Sequence, residues 1–197
     1  EELVAPSIYP QRHRLTVSAW RVPDEPVPFD VAVAQDYQPF EIGTAWGRAW
    51  STMWLHVTGQ VPEAWLDGRS IEIVMDLGFR AQMEGGQAEG LAFRPDGSII
   101  KAIEPFNRYV PVEDAEGGVI DFYLEMAANP EVGIGGSWHP SPYSHKGIVP
   151  DEPLYVLRQM DVAVRDDTVW ELDQDLQVLR ELLDELPPDL PRRADIV

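Results

Sequence analysis

A mainly β fold, an antiparallel two-sheet β-sandwich followed by one C-terminal amphipathic helix, is what this 197-residue sequence predicts. Eighteen prolines and fifteen glycines separate short runs that are rich in Val, Ile, Trp, Tyr and Phe. Several runs alternate apolar and polar residues, which is the period of a half-buried strand. After residue 166 the apolar residues recur every three or four positions, which is the period of a helix. Many strands without intervening helices favour two packed antiparallel sheets.

The first two predicted strands precede residue 60. The first covers residues 15–22, LTVSAWRV, and ends at the proline-rich segment 23–30. The second lies in residues 43–59, GTAWGRAWSTMWLHVTG, where three tryptophans all occupy even positions. We take residues 46–58 of this segment as one continuous strand.

Such a strand would place Trp46, Trp50, Trp54 and His56 on one face, because side chains alternate between the faces of a sheet. The opposite face already has the apolar residues of a core face. The tryptophans would then form an exposed apolar patch unless a sugar ring or another protein domain covers them. Alternatively, a bulge at a glycine such as Gly47 would shift the register and send some of the tryptophans inward.

Four more segments complete the predicted sheets. Residues 70–79 and 119–130 each alternate apolar and polar side chains, so one face of each should enter the core. Residues 88–103 place RPDG between two apolar runs, which predicts a β-hairpin with Gly97 at positive φ. The last strand covers residues 153–165, and its predicted core side consists of Leu154, Val156, Met160, Val162 and Val164.

The helix follows directly. Asp167 or Thr168 should cap it, and the segment extends for about five turns. Its apolar positions are Val169, Leu172, Leu176, Leu179, Leu183 and Leu186. We therefore divide the chain into a β-sandwich domain at 1–166 and a helical linker at 167–197. Residue 1 is Glu rather than Met, and the closing LPRRADIV resembles the start of a further helix, so we expect a piece of a longer protein.

Composition excludes several classes of function. The formal net charge is −19, which would repel nucleic acid and anionic membranes. The sequence contains no cysteine, so disulfides, thiolate metal sites and cysteine nucleophiles are excluded. No apolar run is long enough to cross a bilayer, and the first residues lack the pattern of a signal peptide. We expect a cytoplasmic protein.

Candidate chemistry within these residues is sparse. The four histidines lack the spacing of a two-ligand zinc motif, and no GxSxG or GxGxxG occurs. Glu89, Asp121 and Glu125 could be neighbours, but 34 acidic residues make chance proximity expected. The Gly/Pro-rich segment 129–153 is too long for a plain hairpin turn. It carries Trp138, His139 and Tyr143, further candidates for contact with a sugar or a neighbouring domain.

Four blocks of the sequence carry a resemblance to a known family. They are GTAWGRAWSTMWLHVTGQVPEAW (43–65), AEGLAFRPDGSIIKAI (88–103), NRYVPV (107–112) and YLEMAANP (123–130). In order and spacing they resemble the N-terminal region of the glycoside hydrolase family 38 α-mannosidases, in particular the cytosolic and vacuolar branch and its bacterial relatives. The resemblance runs from about residue 7 over most of the chain.

The resemblance implies an all-β domain, of jelly-roll or galactose-binding-like type, that precedes a catalytic α/β barrel. It also implies a parent enzyme that hydrolyses terminal α-mannosides with retention, using an aspartate nucleophile and a divalent metal, zinc or sometimes cobalt. The family's His-x-Asp metal motif is absent from these residues. No catalytic or metal residue is therefore assigned here, and we expect this segment alone to be inactive.

The resemblance implies the parent's catalytic domain and its mannoside substrate as partners, with neighbouring subunits as a further candidate. Trp46, Trp50 and Trp54 would then be covered by the catalytic domain or by another subunit. Two alternatives remain open. In the first, the sandwich is a carbohydrate-binding module that grips mannose-containing glycan through Trp50, Trp54 and Trp138. In the second, it is a protein-interaction domain unrelated to sugar.

Overall fold

The computed structural model describes residues 3–80, 86–112, 116–130, 143, 146–194 and 196. Two larger antiparallel sheets, one two-stranded pair and three α-helices are its main elements. The strands are β1 Gln11–Arg14, β2 Thr16–Arg21, β3 Gln38–Pro39, β4 Ala45–Trp46, β5 Thr52–Gln60, β6 Ile71–Asp76, β7 Ala88–Phe93, β8 Ile99–Ile103, β9 Tyr109–Pro111, β10 Val119–Ala128, β11 Tyr155–Val156 and β12 Gln159–Val164. The helices are α1 Phe29–Val33, α2 Asp167–Glu185 and α3 Pro191–Ala194. None of the helices in the described ranges is long and apolar enough to span a membrane.

The strands form a sandwich, as predicted. The larger sheet has six strands in the order β3-β2-β5-β10-β7-β8, and the smaller has four in the order β1-β12-β6-β9. A separate pair, β11-β4, lies beside them. Every strand pairing is antiparallel. Two sheets are needed because each strand has one apolar face that must be removed from water.

The core lies between the two sheets, and the predicted alternation places it there. Along β10 the even positions are buried and belong to the main core, whereas Val119 and Asp121 are exposed. The apolar face of β6 likewise enters this core through Ile73, Met75 and Leu77. The predicted hairpin is also present as β7 and β8, with Gly97 at φ +85° in the turn.

The predicted strand over residues 46–58 is wrong, because it is interrupted after β4. Gly47 has φ +77° and Trp50 has φ +64°, and these left-handed residues turn the chain between β4 and β5. A Cβ at Gly47 would lie 2.7 Å from the Cβ of Ala128, so this turn also brings the backbone close to β10. A bulky side chain at positive φ is uncommon and costs free energy. The alternative that a bulge near Gly47 would redirect the tryptophans is the one the structure supports.

The last predicted strand, over residues 153–165, is likewise divided into β11 and β12. Its predicted core side is wrong at Val156, which is 37% exposed, whereas Tyr155 and Leu157 are buried. The side switches because the chain leaves the β11-β4 pair and enters the four-stranded sheet within three residues. Arg158 lies at this change of sheet and bonds Asp76, with 2.9 Å between Nε and Oδ2.

A short helix that periodicity did not predict covers the outer face of the six-stranded sheet. Helix α1 follows the proline-rich segment, and Phe29 and Ala32 pack against a second apolar cluster that includes Trp54 and Phe93. Ring centroids are 6.0 Å apart for Phe29 and Trp54 and 5.3 Å apart for Phe29 and Phe93. The six-stranded sheet is therefore apolar on both faces in its middle.

Helix α2 confirms the predicted C-terminal helix but begins differently. Its cap is Asp166, whose side chain accepts a hydrogen bond from the Val169 amide, rather than Asp167 or Thr168. Asp167 bonds Arg165 and Ser70 instead, at 2.8 and 2.7 Å. No residue of α2 is buried. The division at residue 166 stays a prediction.

Candidate functional site

The three tryptophans of the predicted exposed face have three different environments. Trp46 is 1% exposed and belongs to the core between the sheets. Its indole Nε1 donates to the carbonyl of Leu77 at 2.8 Å, and its ring packs on Tyr155 with 5.4 Å between centroids. Trp46 is thus a structural side chain, and the expectation that it lies on an outer surface is wrong.

Trp54 does lie on the outer face, but the chain itself covers it. It stands opposite Trp20 on β2 and Glu125 on β10, and it is 1% exposed beneath Phe29 and Phe93. Among the described residues its indole N–H has no hydrogen-bond partner. The helix α1 therefore supplies the cover that we expected from a sugar or another domain.

Trp50 is the tryptophan that stays accessible, at 38% exposure. Its Nε1 donates to the carbonyl of Tyr143 at 2.7 Å, so the structure brings together two of the predicted contact residues. Trp138 and His139, also predicted, lie outside the described residues. The indole borders a pocket of about 230 Å³ that is also lined by Arg21, Arg48 and Lys146.

Two cationic side chains of this pocket, Arg48 and Lys146, are held in place by neighbouring oxygen atoms. Arg48 donates from Nη2 to the carbonyl of Val149 at 3.0 Å. Lys146 Nζ lies 2.8 Å from Glu25 Oε1 and 3.3 Å from Asp24 Oδ1, and these contacts raise the pKa of the lysine. Sequence reasoning did not select these residues, because they come from distant parts of the sequence. The pocket therefore offers the indole of Trp50 and guanidinium N–H groups of Arg21 and Arg48 to a hydroxylated group.

His56 belongs to a separate aromatic cluster further along β5. Its Nε2 lies 2.9 Å from Asp121 Oδ1, and its ring stacks on Tyr123 with 4.4 Å between centroids and 8° between planes. Burial raises the pKa of the Tyr123 hydroxyl, and the nearby Asp121 carboxylate adds to the effect. His56 is thus oriented by its own neighbours, and a role in ligand contact stays a prediction.

The three strand carboxylates lie on the outer face of the six-stranded sheet without forming one group. Asp121 pairs with His56, and Glu89 accepts a bond from Asn129 at 3.2 Å. Glu125 stands opposite Trp54 and Leu91, where burial raises the pKa of its carboxyl group. Within the described ranges no three His, Asp or Glu side chains converge in a way that could hold a metal ion.

A buried polar network at the base of α2 is the feature that sequence reasoning missed most completely. Glu72 on β6 is 3% exposed, and its two carboxylate oxygens contact Arg165 Nη1 and the Tyr9 hydroxyl, each at 2.5 Å. Arg165 also bonds Asp167. The one available signal was the polar Glu72 within an apolar strand. These contacts attach the helix to the sandwich and do not form a reactive centre.

Fold and surface together define a class: a β-sandwich domain with an accessible indole pocket on one sheet and a helical arm attached at its base. The particular family follows from comparison with known proteins. The family model "Alpha-mannosidase, jelly roll domain", of the Ams1-like type, matches residues 9–163. The chain belongs to this family of α-mannosidase jelly-roll domains.

Three curated relatives agree with this assignment. Human "Alpha-mannosidase 2C1" is 26% identical over 162 residues, which cover 79% of this chain and 14% of that protein. The mouse "Alpha-mannosidase 2C1" is 26% identical over 172 residues, or 84% of this chain and 15% of the relative. "Alpha-mannosidase G" of Dictyostelium discoideum is 24% identical over 176 residues, or 88% and 15%. The chain therefore spans about 15% of the length of the curated relatives it matches.

Proposed function

We propose that this chain is the N-terminal, non-catalytic accessory and assembly domain of a glycoside hydrolase family 38 α-mannosidase. The parent enzyme would hydrolyse terminal α-mannosides with retention of configuration, in the cytoplasm. The match of residues 9–163 to an α-mannosidase jelly-roll family carries this proposal. The names of the relatives and the small share of their length that the chain covers support it.

The divalent metal expected in the parent, zinc or cobalt, does not fit the residues described here. A sugar-binding metal site needs several His or carboxylate ligands at one place, and the described part of the chain offers no such group of three. The strand carboxylates are also engaged separately, Asp121 by His56 and Glu89 by Asn129. We therefore propose that the metal and the catalytic residues of the parent lie outside the residues described here.

Two measurements test the proposal. The 197-residue chain, supplied with zinc or cobalt, should not hydrolyse a nitrophenyl α-mannoside. The gene read beyond codon 197 should continue into a catalytic domain that contains a His-x-Asp motif. Hydrolysis by the chain alone, or a stop codon directly after Val197, would contradict the proposal.

A second candidate function is carbohydrate binding, and Trp50 is the observation that favours it. Its indole is exposed beside a pocket with arginine donors, and its backbone is held at φ +64°, a strained value that structures retain mostly at functional positions. Trp54, the other described tryptophan of this hypothesis, is buried and is no longer a candidate.

Calorimetric titration with methyl α-mannoside tests the second function directly. Binding in the millimolar range or tighter that Trp50→Ala abolishes would support it. Phe106→Ala is the matched control, because Phe106 is a 47% exposed aromatic residue that does not line the pocket. No heat of binding, or binding that both variants retain, would exclude a sugar site at Trp50.

A further inference from the structure

Six apolar residues of α2 and its C-terminal cap recur with a seven-residue period, while Trp170, Val178 and Leu182 lie beside this line. Val169, Leu172, Leu176, Leu179, Leu183 and Leu186 follow at intervals of three, four, three, four and three. A heptad repeat of apolar residues is the pattern of a helix that packs along another helix. We call these six residues the heptad seam.

The heptad seam is open in the part of the chain that the structure describes. Leu172, Leu176 and Leu179 are 48%, 45% and 43% exposed, and no residue of Asp167–Glu185 is buried. A helix of this length normally gains most of its stability by burying an apolar face. Three neighbouring half-exposed leucines on one line therefore indicate a missing partner.

The helix is nevertheless firmly held at its beginning. The amide of Asp166 donates to the Ile8 carbonyl at 2.8 Å, and the Asp166 side chain caps the first turn. Arg165 contacts both buried Glu72 and Asp167, and its guanidinium carbon lies 4.9 Å from the centre of the Trp170 ring. These contacts fix the direction in which α2 leaves the sandwich.

The other end of α2 is closed by the chain that follows it. Arg193 in α3 donates to the carbonyls of Leu183 and Leu186, the second at 2.9 Å. Carbonyl groups at the end of a helix lack partners within the helix, so an arginine there stabilises the last turn. Both ends of the helix are thus secured, while Leu172, Leu176 and Leu179 between them stay accessible.

The charge of α2 indicates which kind of partner it would bind. Asp167–Glu185 contains one arginine, Arg180, and seven acidic residues: Asp167, Glu171, Asp173, Asp175, Glu181, Asp184 and Glu185. A second copy of the chain would bring the same acidic helix and another net charge of −19, and like charges oppose such pairing. A helix with lysine or arginine beside its apolar positions would instead be attracted.

We propose that α2 docks, through the heptad seam, against a partner helix that has its own leucine-type seam and lysine or arginine residues at the flanking positions. The inference rests on the proposed function, since an assembly domain needs a surface of this kind. Beyond that function, the inference names α2 as the element that makes the contact and a basic, leucine-bearing helix as its partner.

A synthetic peptide serves as the probe. It has about 21 residues, three heptads, with leucine at both seam positions and lysine at both flanking positions of each heptad. Titrated calorimetrically into the 197-residue chain, it should bind one to one. The affinity should be at least tenfold higher than that of the same peptide with glutamate at the flanking positions, and a scrambled lysine peptide should not bind.

Variants of the chain locate the binding surface. The double variant Leu176→Ala, Leu179→Ala should weaken binding of the lysine peptide at least tenfold. Val178→Ala is the matched control, because Val178 is 62% exposed but lies outside the heptad seam, and it should bind like the unaltered chain. Far-UV circular dichroism and urea unfolding should show that both variants keep their fold.

Several results would overturn the inference. Equal binding of the scrambled or glutamate peptide would contradict the proposed lysine or arginine residues of the partner. Unchanged binding by the double variant would show that the heptad seam is not the binding surface. Dimerisation in sedimentation velocity that the double variant abolishes would assign the seam to a second copy. None of these measurements depends on mannosidase activity, so a failure here is distinguishable from a failure of the proposed function.

Discussion

The β-sandwich and helix α2 treat their apolar side chains in opposite ways. In the sandwich, Leu55 and Leu124 are completely buried between the sheets, and α1 covers even the outer face around Trp54. On α2, Leu176 is 45% exposed and the whole helix lacks a buried residue. In the described part of the chain, the sandwich thus covers its central leucines with its own residues, whereas the leucines of α2 stay uncovered.

The largest difference should come from removing one leucine in each region. Leu124→Ala should lower the free energy of unfolding by about 2–5 kcal/mol, because it deletes packed volume in the core. Leu176→Ala should lower it by less than about 0.5 kcal/mol, since alanine suits an exposed helix position. Urea unfolding measures both. A large cost at Leu176 would show that this chain covers the heptad seam itself.

A substitution at the junction of the sandwich and α2 should lower the free energy of unfolding almost as much. Glu72→Ala leaves Arg165 without its buried carboxylate and Tyr9 without its acceptor. We expect a loss of about 2 kcal/mol, less than for a fully buried pair because Arg165 keeps Asp167 and some water.

Tryptophan fluorescence adds a second measurement to this test. Trp170 lies against Arg165, so its emission should shift to the red if the base of α2 loosens. Glu171→Ala, at an exposed position of the same helix, should change neither signal. An unaltered stability in Glu72→Ala would mean that the network does not attach α2.

A smaller difference in the free energy of unfolding should separate two of the buried tryptophans, Trp46 and Trp54. Trp46→Phe removes the donor to the Leu77 carbonyl, whereas the indole N–H of Trp54 has no partner in the described residues. Both changes lose similar volume, so Trp46→Phe should cost about 1 kcal/mol more than Trp54→Phe. If the two costs are equal in urea unfolding, the Trp46 bond contributes nothing measurable.

The smallest effects on the free energy of unfolding should come from two carboxyl groups, Asp167 and Glu125. These effects should depend on pH and have opposite signs. Hydrogen bonds from Ser70 and Arg165 lower the pKa of the Asp167 carboxyl in the folded chain. Its contribution is then present above its unfolded pKa, about 4, and is lost as the pH falls through the lower folded value. At pH 7, Asp167→Asn should cost less than about 1 kcal/mol, since the carboxylate is largely exposed.

Glu125 provides the opposite case within the sandwich. Burial raises the pKa of its carboxyl, so the free energy of unfolding falls as the pH rises from the unfolded pKa, about 4, through the higher folded value. Glu125→Gln should therefore slightly stabilise the chain at pH 7. Both differences should vanish in thermal unfolding at acidic pH, when the carboxyls are protonated in the folded and unfolded states. An effect of Glu125→Gln that persists there would point to packing rather than charge.

The strands could be predicted because alternation directly records which face of a strand is buried. Residues 119–130 show this best, since the even positions of β10 are in the core. Helix α2 was predictable for the analogous reason, as its apolar period differs from that of a strand. The family resemblance predicted from residues 43–130 is confirmed by the jelly-roll match.

The tryptophan face could not be predicted, because its environment is set by contacts between distant residues. The turn between β4 and β5 depends on left-handed backbone at Trp50, which its side chain does not favour. Trp54 is covered by Phe29, which lies in a five-residue helix too short to show periodicity. Glu72 and Arg165 meet across 93 residues.

The pairing of β1 with β12 joins the first strand of the sandwich to its last. Gln11 stands opposite Val164, so the chain enters and leaves the β layer at two neighbouring points, about 5 Å apart as in any antiparallel pair. A unit with adjoining entry and exit can be removed from a longer polypeptide, and its ends rejoined by a few residues, without stretching what lies on either side. Domains whose ends lie close together tolerate insertion into another protein.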